Sequence, residues 1–224
     1  GFEDASNIQS VWDVTLDKKG RMWISTDHYG IFVIDKKTKE MRQFLNDKND
    51  PTSICDNTIR MIYCDQLGRL WIGSYMNGLS TYAESSSNFR NIDLGNINTV
   101  CVDKAGYYWL GTNDKGFIRY DPRTTEQVIY DKANSPIGSK TMVSSLAGSD
   151  GSIWFGTYEG GLIRIKNGQV KNFRATGQPT DLANDNIWTI YEDQWGYIWL
   201  GTLGGGVQRI NPKTEKFDIP ITTK

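Results

Sequence analysis

The chain has 224 residues, 38% of them hydrophobic, enough to bury the core of one large all-β domain or two small ones. Lys and Arg number 25 against 26 Asp and Glu, a formal net charge of -1 with no run of one sign, so the field that draws nucleic acid or an anionic membrane is missing and neither is an expected partner. No apolar stretch approaches the roughly 20 residues that span a bilayer, and residues 1–7 (GFEDASN) have neither the basic start nor the apolar run of a signal peptide; an export signal, if the natural protein is exported, is expected outside this chain.

In chain order, the chain begins at ASNI (residues 5–8) in the phase of a loop between units and leads to DKKGRMWISTDHYGI from Asp17. NDPTSICDNTI at 49–59 reads as a loop between units, and DQLGRLWIGSYMNGL follows from Asp65. DKAGYYWLGTNDKGF follows from Asp103 and GSDGSIWFGTYEGGL from Gly148; GQPTDLANDNI at 177–187 is a second such loop, before DQWGYIWLGTLGGGV from Asp193. The shared tryptophans, Trp23, Trp71, Trp109, Trp154 and Trp199, are spaced 48, 38, 45 and 45 residues apart, the period of a four-stranded propeller blade. Each unit runs in short β-rich bursts, such as IWTIYED, YIWLGT, GVQRIN and EKFDI within 187–219, without a sustained 3.6-residue apolar pattern. These bursts are expected to be strands A to D. The expected fold is therefore all-β, a β-propeller of five four-stranded antiparallel blades over approximately 8–46, 58–93, 97–131, 142–174 and 187–219. Residues 1–224 would form a single propeller domain or fragment, a closed five-blade ring or an arc of a larger one. An arc predicts self-association or further blades to cover its apolar ends.

The repeated motif has the chemistry of packing. Asp17, Asp65, Asp103 and Asp193 each stand three residues before a glycine, where a carboxylate can cap the N–H groups of the A–B turn while the glycine takes positive φ. The Trp two residues into strand B is expected to wedge between sheets, and the small pair after it leaves room for the neighbouring sheet. The fourth unit has Gly148 in the Asp slot, with Asp150 placed to cap instead.

Little points to catalysis. His28 is the single histidine and sits in the B–C corner of the first unit, so a Ser/His/Asp or Cys/His site has one candidate and no evident partners. Cys55, Cys64 and Cys101 form no CxxC and read as buried or idle thiols; no metal and no cofactor is expected. The glycines Gly204 to Gly206 precede no helix and no Lys-Ser/Thr, so they form a corner and not a phosphate cradle. Asp181 with Asp185 lacks any spacing that would select an acid and a base.

A binding face is easier to define. The second residue of strand A is Trp12, Arg60, Asn98, Val143 and Trp188, varied in chemistry while the residue before it stays apolar. The B–C corners vary likewise, with Asp27-His28-Tyr29, Tyr75-Met76-Asn77, Asn113-Asp114-Lys115, Tyr158-Glu159 and Leu203-Gly204. Aromatics mixed with polar groups suit a neutral polar ligand such as a sugar. The expected ligand-binding residues are Trp12, His28, Tyr29, Arg60, Tyr75, Asn98, Asn113, Asp114, Tyr158, Glu159 and Trp188; ordinary loop variation is the competing account.

The repeated D-x-x-G-x-x-W-[ILF]-[GS]-[ST]-x-x-x-G, kept in phase over residues 8–219, together with the linker at Asn49 to Ser53, resembles the two-component regulator propeller repeat. That family occurs in the periplasmic part of bacterial hybrid sensor kinases, and many members sense breakdown products of polysaccharides. The resemblance implies a periplasmic, non-catalytic sensor segment of an inner-membrane protein with an oligosaccharide as its ligand. Two alternatives stand beside it: a streptogramin-lyase-like propeller enzyme, which would need His28, and a purely structural or dimerisation module.

Overall fold

The computed structural model describes residues 10–85, 88–178 and 180–222; the expected start of the first unit at residue 8 lies outside them. The described residues form no helix. Five four-stranded antiparallel sheets, each with the meander topology of a propeller blade, account for the regular structure. The first comprises β1 (Val11–Leu16), β2 (Met22–Thr26), β3 (Ile31–Ile34) and β4 (Met41–Phe44), and the second β5 (Ile59–Cys64), β6 (Leu70–Ser74), β7 (Leu79–Tyr82) and β8 (Phe89–Ile92). The third comprises β9 (Ile97–Val102), β10 (Tyr108–Thr112), β11 (Phe117–Tyr120) and β12 (Gln127–Tyr130), and the fourth β13 (Met142–Ala147), β14 (Ile153–Thr157), β15 (Leu162–Lys166) and β16 (Gln169–Phe173). The fifth is β17 (Ile187–Glu192), β18 (Ile198–Thr202), β19 (Val207–Asn211) and a short β20 (Lys216–Phe217). The chain divides into two compact units, residues 1–98 and 99–224.

In the first unit, Trp23, Ile31 and Val33 pack against Ile59, Ile62, Leu70, Ile72, Tyr82 and Phe89, with Ile54 of the intervening loop in the same core. The indole of Trp23 stacks on Phe44 of its own sheet at 5.8 Å and meets Tyr82 of the next at 5.1 Å, the wedge that its size and flatness allow. The second unit repeats the device. Trp109 and Phe117 pack on Met142, Phe155 and Ile163, and Trp154 and Leu162 on Ile187, Leu200, Ile210 and Phe217. The glycine two residues after the tryptophan lets these sheets close: a Cβ at Gly156 would stand 2.6 Å from the Ile187 carbonyl oxygen, and one at Gly111 2.7 Å from Met142 Cβ.

The A–B turns show what the aspartate does. One oxygen of Asp17 accepts the N–H groups of Lys19 and Arg21, both at 2.9 Å, while the other accepts the Trp23 indole N–H at 2.9 Å. Asp65 serves Trp71 at 3.1 Å, Asp103 serves Trp109 at 2.8 Å and Asp193 serves Trp199 at 2.7 Å. One carboxylate thus closes the hairpin and fixes the wedge, the second role being invisible in the spacing alone. In the fourth sheet Asp150 does cap, accepting from the Ser152 N–H at 2.9 Å. It is spent on Arg164 and Lys166 at 2.9 and 2.6 Å, however, and the fully buried Trp154 keeps an indole N–H without a hydrogen-bond partner.

Candidate functional site

The varied position in strand A is a β-bulge. On β1 the pairing passes from Val11↔Thr26 to Asp13↔Ser25, leaving Trp12 as the extra residue. Arg60 between Ile59 and Met61, Val143 between Met142 and Ser144, and Trp188 between Ile187 and Thr189 are skipped in the same way. An extra residue is left out of the ladder and its side chain is re-aimed, so it is released from the cross-strand pairing that constrains its neighbours. Asn98 holds the matching second place on β9.

The B–C corners are fixed by their own chemistry. The Ser or Thr that ends strand B donates its hydroxyl to the carbonyl of the corner glycine: Thr26 to Gly30 at 2.8 Å, Ser74 to Gly78 at 3.0 Å, Thr112 to Gly116 at 2.8 Å, Thr157 to Gly161 at 2.7 Å and Thr202 to Gly206 at 2.8 Å. The first corner residue also ties back to the residue before strand A, with Tyr75 N–H on the Thr58 carbonyl at 3.0 Å and Tyr158 N–H on that of Thr141 at 3.1 Å. Within each unit a corner grips the loop entering the next sheet. Gly30 N–H donates to Asn57 at 2.8 Å, Gly116 N–H to Lys140 at 2.9 Å and Gly161 N–H to Asp185 at 2.9 Å. Corners, bulges and inter-sheet loops therefore meet on the same end of the sheets, although they are distant in sequence.

In the first unit this end carries a close cluster. The Arg60 guanidinium carbon lies 3.9 Å from the centroid of Trp12 and 4.7 Å from that of Tyr75, with Trp12 49% and Tyr75 38% exposed. His28, at positive φ, sets Nδ1 2.9 Å from the Thr58 hydroxyl and 2.8 Å from Asp27 Oδ1. Tyr29 is exposed beside it, its carbonyl accepting from the Gln43 amide at 2.9 Å. Asn98 sits at the edge of this unit, half-buried.

The second unit spreads its candidates more widely. Asn113 accepts the Thr141 hydroxyl through its carbonyl at 2.7 Å, with Asp114 exposed beside it. Glu159, at positive φ, donates its N–H to the Asn186 side chain at 2.9 Å, while Tyr158 stands exposed. Trp188 is 55% exposed on its bulge, and it makes no cation–π contact among the described residues. The two halves thus differ: one gathers two aromatics around a cation, the other displays its aromatics singly.

Other candidates carry less. At the turn end of the first unit a cleft of about 430 Å³ is lined by Lys18, Arg21, Arg69, Tyr82 and Glu84 among others. Its cations are largely answered: Arg21 pairs with Asp17 at 2.6 Å, Lys19 with Glu84 at 2.6 Å and Arg69 with Asp65 at 2.7 Å. Asp181 and Asp185 have separate partners, the Thr176 hydroxyl at 2.5 Å and Arg174 at 2.7 Å. All three cysteines are free thiols, and burial pushes the Cys101 thiol up to about 12, far from a reactive thiolate. Among the described residues no group of three or more His, Cys, Asp and Glu side chains is placed to hold a metal ion.

The family model described as two component regulator propeller matches residues 6–28, 53–76, 91–114 and 181–204. Each match takes in strands A and B of one sheet and reaches the corner; the fourth sheet, with Gly148 in the Asp slot, falls outside them. No curated protein matches the chain. Among solved structures, the extracellular domain of a B. thetaiotaomicron protein named as a one-component system superimposes with a TM-score of 0.77 at 22% identity, over 90% of this chain. The same domain, named elsewhere as part of a hybrid two-component system, gives 0.77 at 20% identity over 99%. This chain spans 27% and 28% of the lengths of those two. An inactive variant of virginiamycin B lyase from Staphylococcus aureus superimposes with a TM-score of 0.71 at 16% identity, over 96% of this chain and 71% of that one. At such identities the likeness is one of fold.

Proposed function

Because the chain carries two-component regulator propeller repeats, we propose that it is an extracytoplasmic, periplasmic sensor segment that binds an oligosaccharide and catalyses no reaction. The observation that carries this reading is the placement of the bulges. Four sheets use the same backbone irregularity to lift one side chain out of the ladder, and that residue is Trp, Arg, Val or Trp while the packing residues around it hardly change. A scaffold that repeats its frame and varies what the frame displays is organised for recognition, and exposed indoles beside polar corners suit stacking on sugar rings. The parent protein would pass occupancy of this face to a signalling domain.

Thermal denaturation of the chain against a panel of neutral and acidic oligosaccharides tests the reading. A bound saccharide raises the midpoint in proportion to the logarithm of its concentration above Kd. The rise should shrink in Trp12→Ala or Trp188→Ala, each of which removes one platform. A panel that leaves the midpoint unmoved throughout argues for a structural module. His28→Ala separates binding from catalysis, since a lyase would lose turnover with this histidine.

A further inference from the structure

Arg60 is a cation on the recognition face that nothing among the described residues neutralises. The rings of Trp12 and Tyr75 lie against the guanidinium at 3.9 and 4.7 Å. Rings at such distances attract the cation but accept none of its N–H hydrogen bonds, which leaves those donors as its chemically active part. Its Nε is buried without a hydrogen-bond partner, an arrangement rare enough in folded chains to need a reason.

The carboxylates that flank these residues in sequence hold other groups. Asp13, next to Trp12, accepts the Ile62 N–H at 2.9 Å with one oxygen and the Val14 N–H at 2.8 Å with the other. Asp56 accepts from the Thr58 N–H at 3.0 Å and the Asn77 amide at 3.2 Å, and Asp27 faces His28 at 2.8 Å. By contrast, Arg21 and Arg69 at the turn end of the same unit each hold a carboxylate, at 2.6 and 2.7 Å. At the turn end of this unit Arg21 and Arg69 are paired, whereas Arg60 lies between two partly exposed rings.

We infer that Arg60 receives a carboxylate belonging to the ligand, and hence that the saccharide recognised carries uronate residues. The carboxylate accepts N–H groups from the terminal Nη atoms, which unlike Nε are not buried, while the sugar ring lies on the exposed part of Trp12 or Tyr75. This rests on the recognition role proposed above and adds to it the charge of the ligand.

Isothermal titration of the whole chain with oligogalacturonate, and with the same oligomer fully methyl-esterified, separates charge from shape. The ester keeps the rings and most hydroxyls and removes the carboxylates. The acid form is expected to bind about ten- to a hundredfold more tightly and to lose affinity as salt rises. Arg60→Gln should bring acid and ester to the same affinity; Arg60→Lys should keep part of the preference, since charge remains while the planar fork is lost. Thermal denaturation of the variants checks folding, and the comparison of acid with ester on the unaltered chain decides the matter even where a variant fails to fold. Oligomers of glucuronate and guluronate serve as further arms. Equal affinity for acid and ester, or a folded Arg60→Gln chain that keeps the full preference, overturns the inference. Binding of neutral saccharides alone, in a Trp12-dependent manner, also overturns it while the recognition role stands; binding of no saccharide removes both.

Discussion

The two ends of these sheets follow different rules. At the turn end, Asp17, Asp65, Asp103 and Asp193 each hold an indole N–H between 2.7 and 3.1 Å, and what changes between copies is small. At the bulge end, Trp12, Arg60, Val143 and Trp188 occupy one backbone position with four copies and three chemistries. The lesson is that the repeat separates stability from display. Trp23, Trp71, Trp109 and Trp154 and the carboxylates of Asp17 and Asp65 are buried, where volume and hydrogen-bond satisfaction restrict the choice of residue. The bulge residue is outside the ladder, exposed at Trp12 and Trp188 and half-buried at Arg60 and Val143, so cross-strand packing restricts it far less.

The largest effect that sharpens this contrast is loss of a wedge. Trp154 is fully buried among Leu162, Ile187, Leu200 and Phe217, so Trp154→Ala should destabilise by about 3–5 kcal/mol in denaturant titration. A cost near zero would mean the sheets do not depend on their indoles. Next comes Asp65→Ala, which strands the N–H groups of Leu67 and Arg69 and the indole of Trp71. It should cost about 2–3 kcal/mol, since part of what it abandons is buried, and a change within experimental error would break the account of the turn.

The fourth turn offers the reverse experiment. A Cβ at Gly148 would lie 3.4 Å from the unsatisfied Trp154 Nε1, but also 3.2 Å from Asp150 Oδ1. Gly148→Asn supplies an acceptor without a second charge and should raise stability by about 1 kcal/mol. Gly148→Asp should gain less, because its carboxylate faces that of Asp150. An Asp variant more stable than the Asn variant would show that the positive groups around Asp150 dominate.

Acid titrates the same device. Burial by itself would raise the Asp17 pKa, but the hydrogen bonds from the Trp23 indole and the Arg21 side chain and backbone outweigh it and hold the carboxyl below its ordinary value. The folded state therefore binds this proton more weakly than the unfolded state does. The stabilisation is complete above the unfolded carboxylate value of about 4 and drains away as pH falls through the folded one. Asp17→Asn should flatten the acid limb of a plot of Tm against pH, and an unchanged limb would remove Asp17 from the acid response. Smallest of all, Trp12→Ala should alter stability by only about 0.5 kcal/mol despite deleting an indole, since the side chain is 49% exposed. A cost comparable to that of Trp154→Ala would erase the distinction between the two ends.

Much of this contrast is legible in the amino-acid sequence. The tryptophan period, the Asp three residues before a glycine and the varied second residue of strand A each declare themselves by repetition, since a defect or a special role shows against four other copies of the same unit. Gly148 announces the odd turn in that way, and Trp12, Arg60 and Trp188 the displayed position. The sequence does not say that strand A carries a bulge there, because a one-residue insertion into a ladder leaves no mark on a strand read without its neighbour. Nor does it say that the Asp reaches six residues on to an indole, or that Asp150 turns instead to Arg164 and Lys166.

Local patterning therefore determined what each sheet is, through period, alternation and turn chemistry, all of which act between residues near in sequence. Only the tertiary structure decided which side chains meet. Trp12, Arg60 and Tyr75 come from two sheets and three strand ends, and whether the guanidinium against those rings finds a counter-ion depends on which carboxylates the fold brings to it. Electrostatics and packing act through space, and the distances that set them exist only once the sheets have folded together.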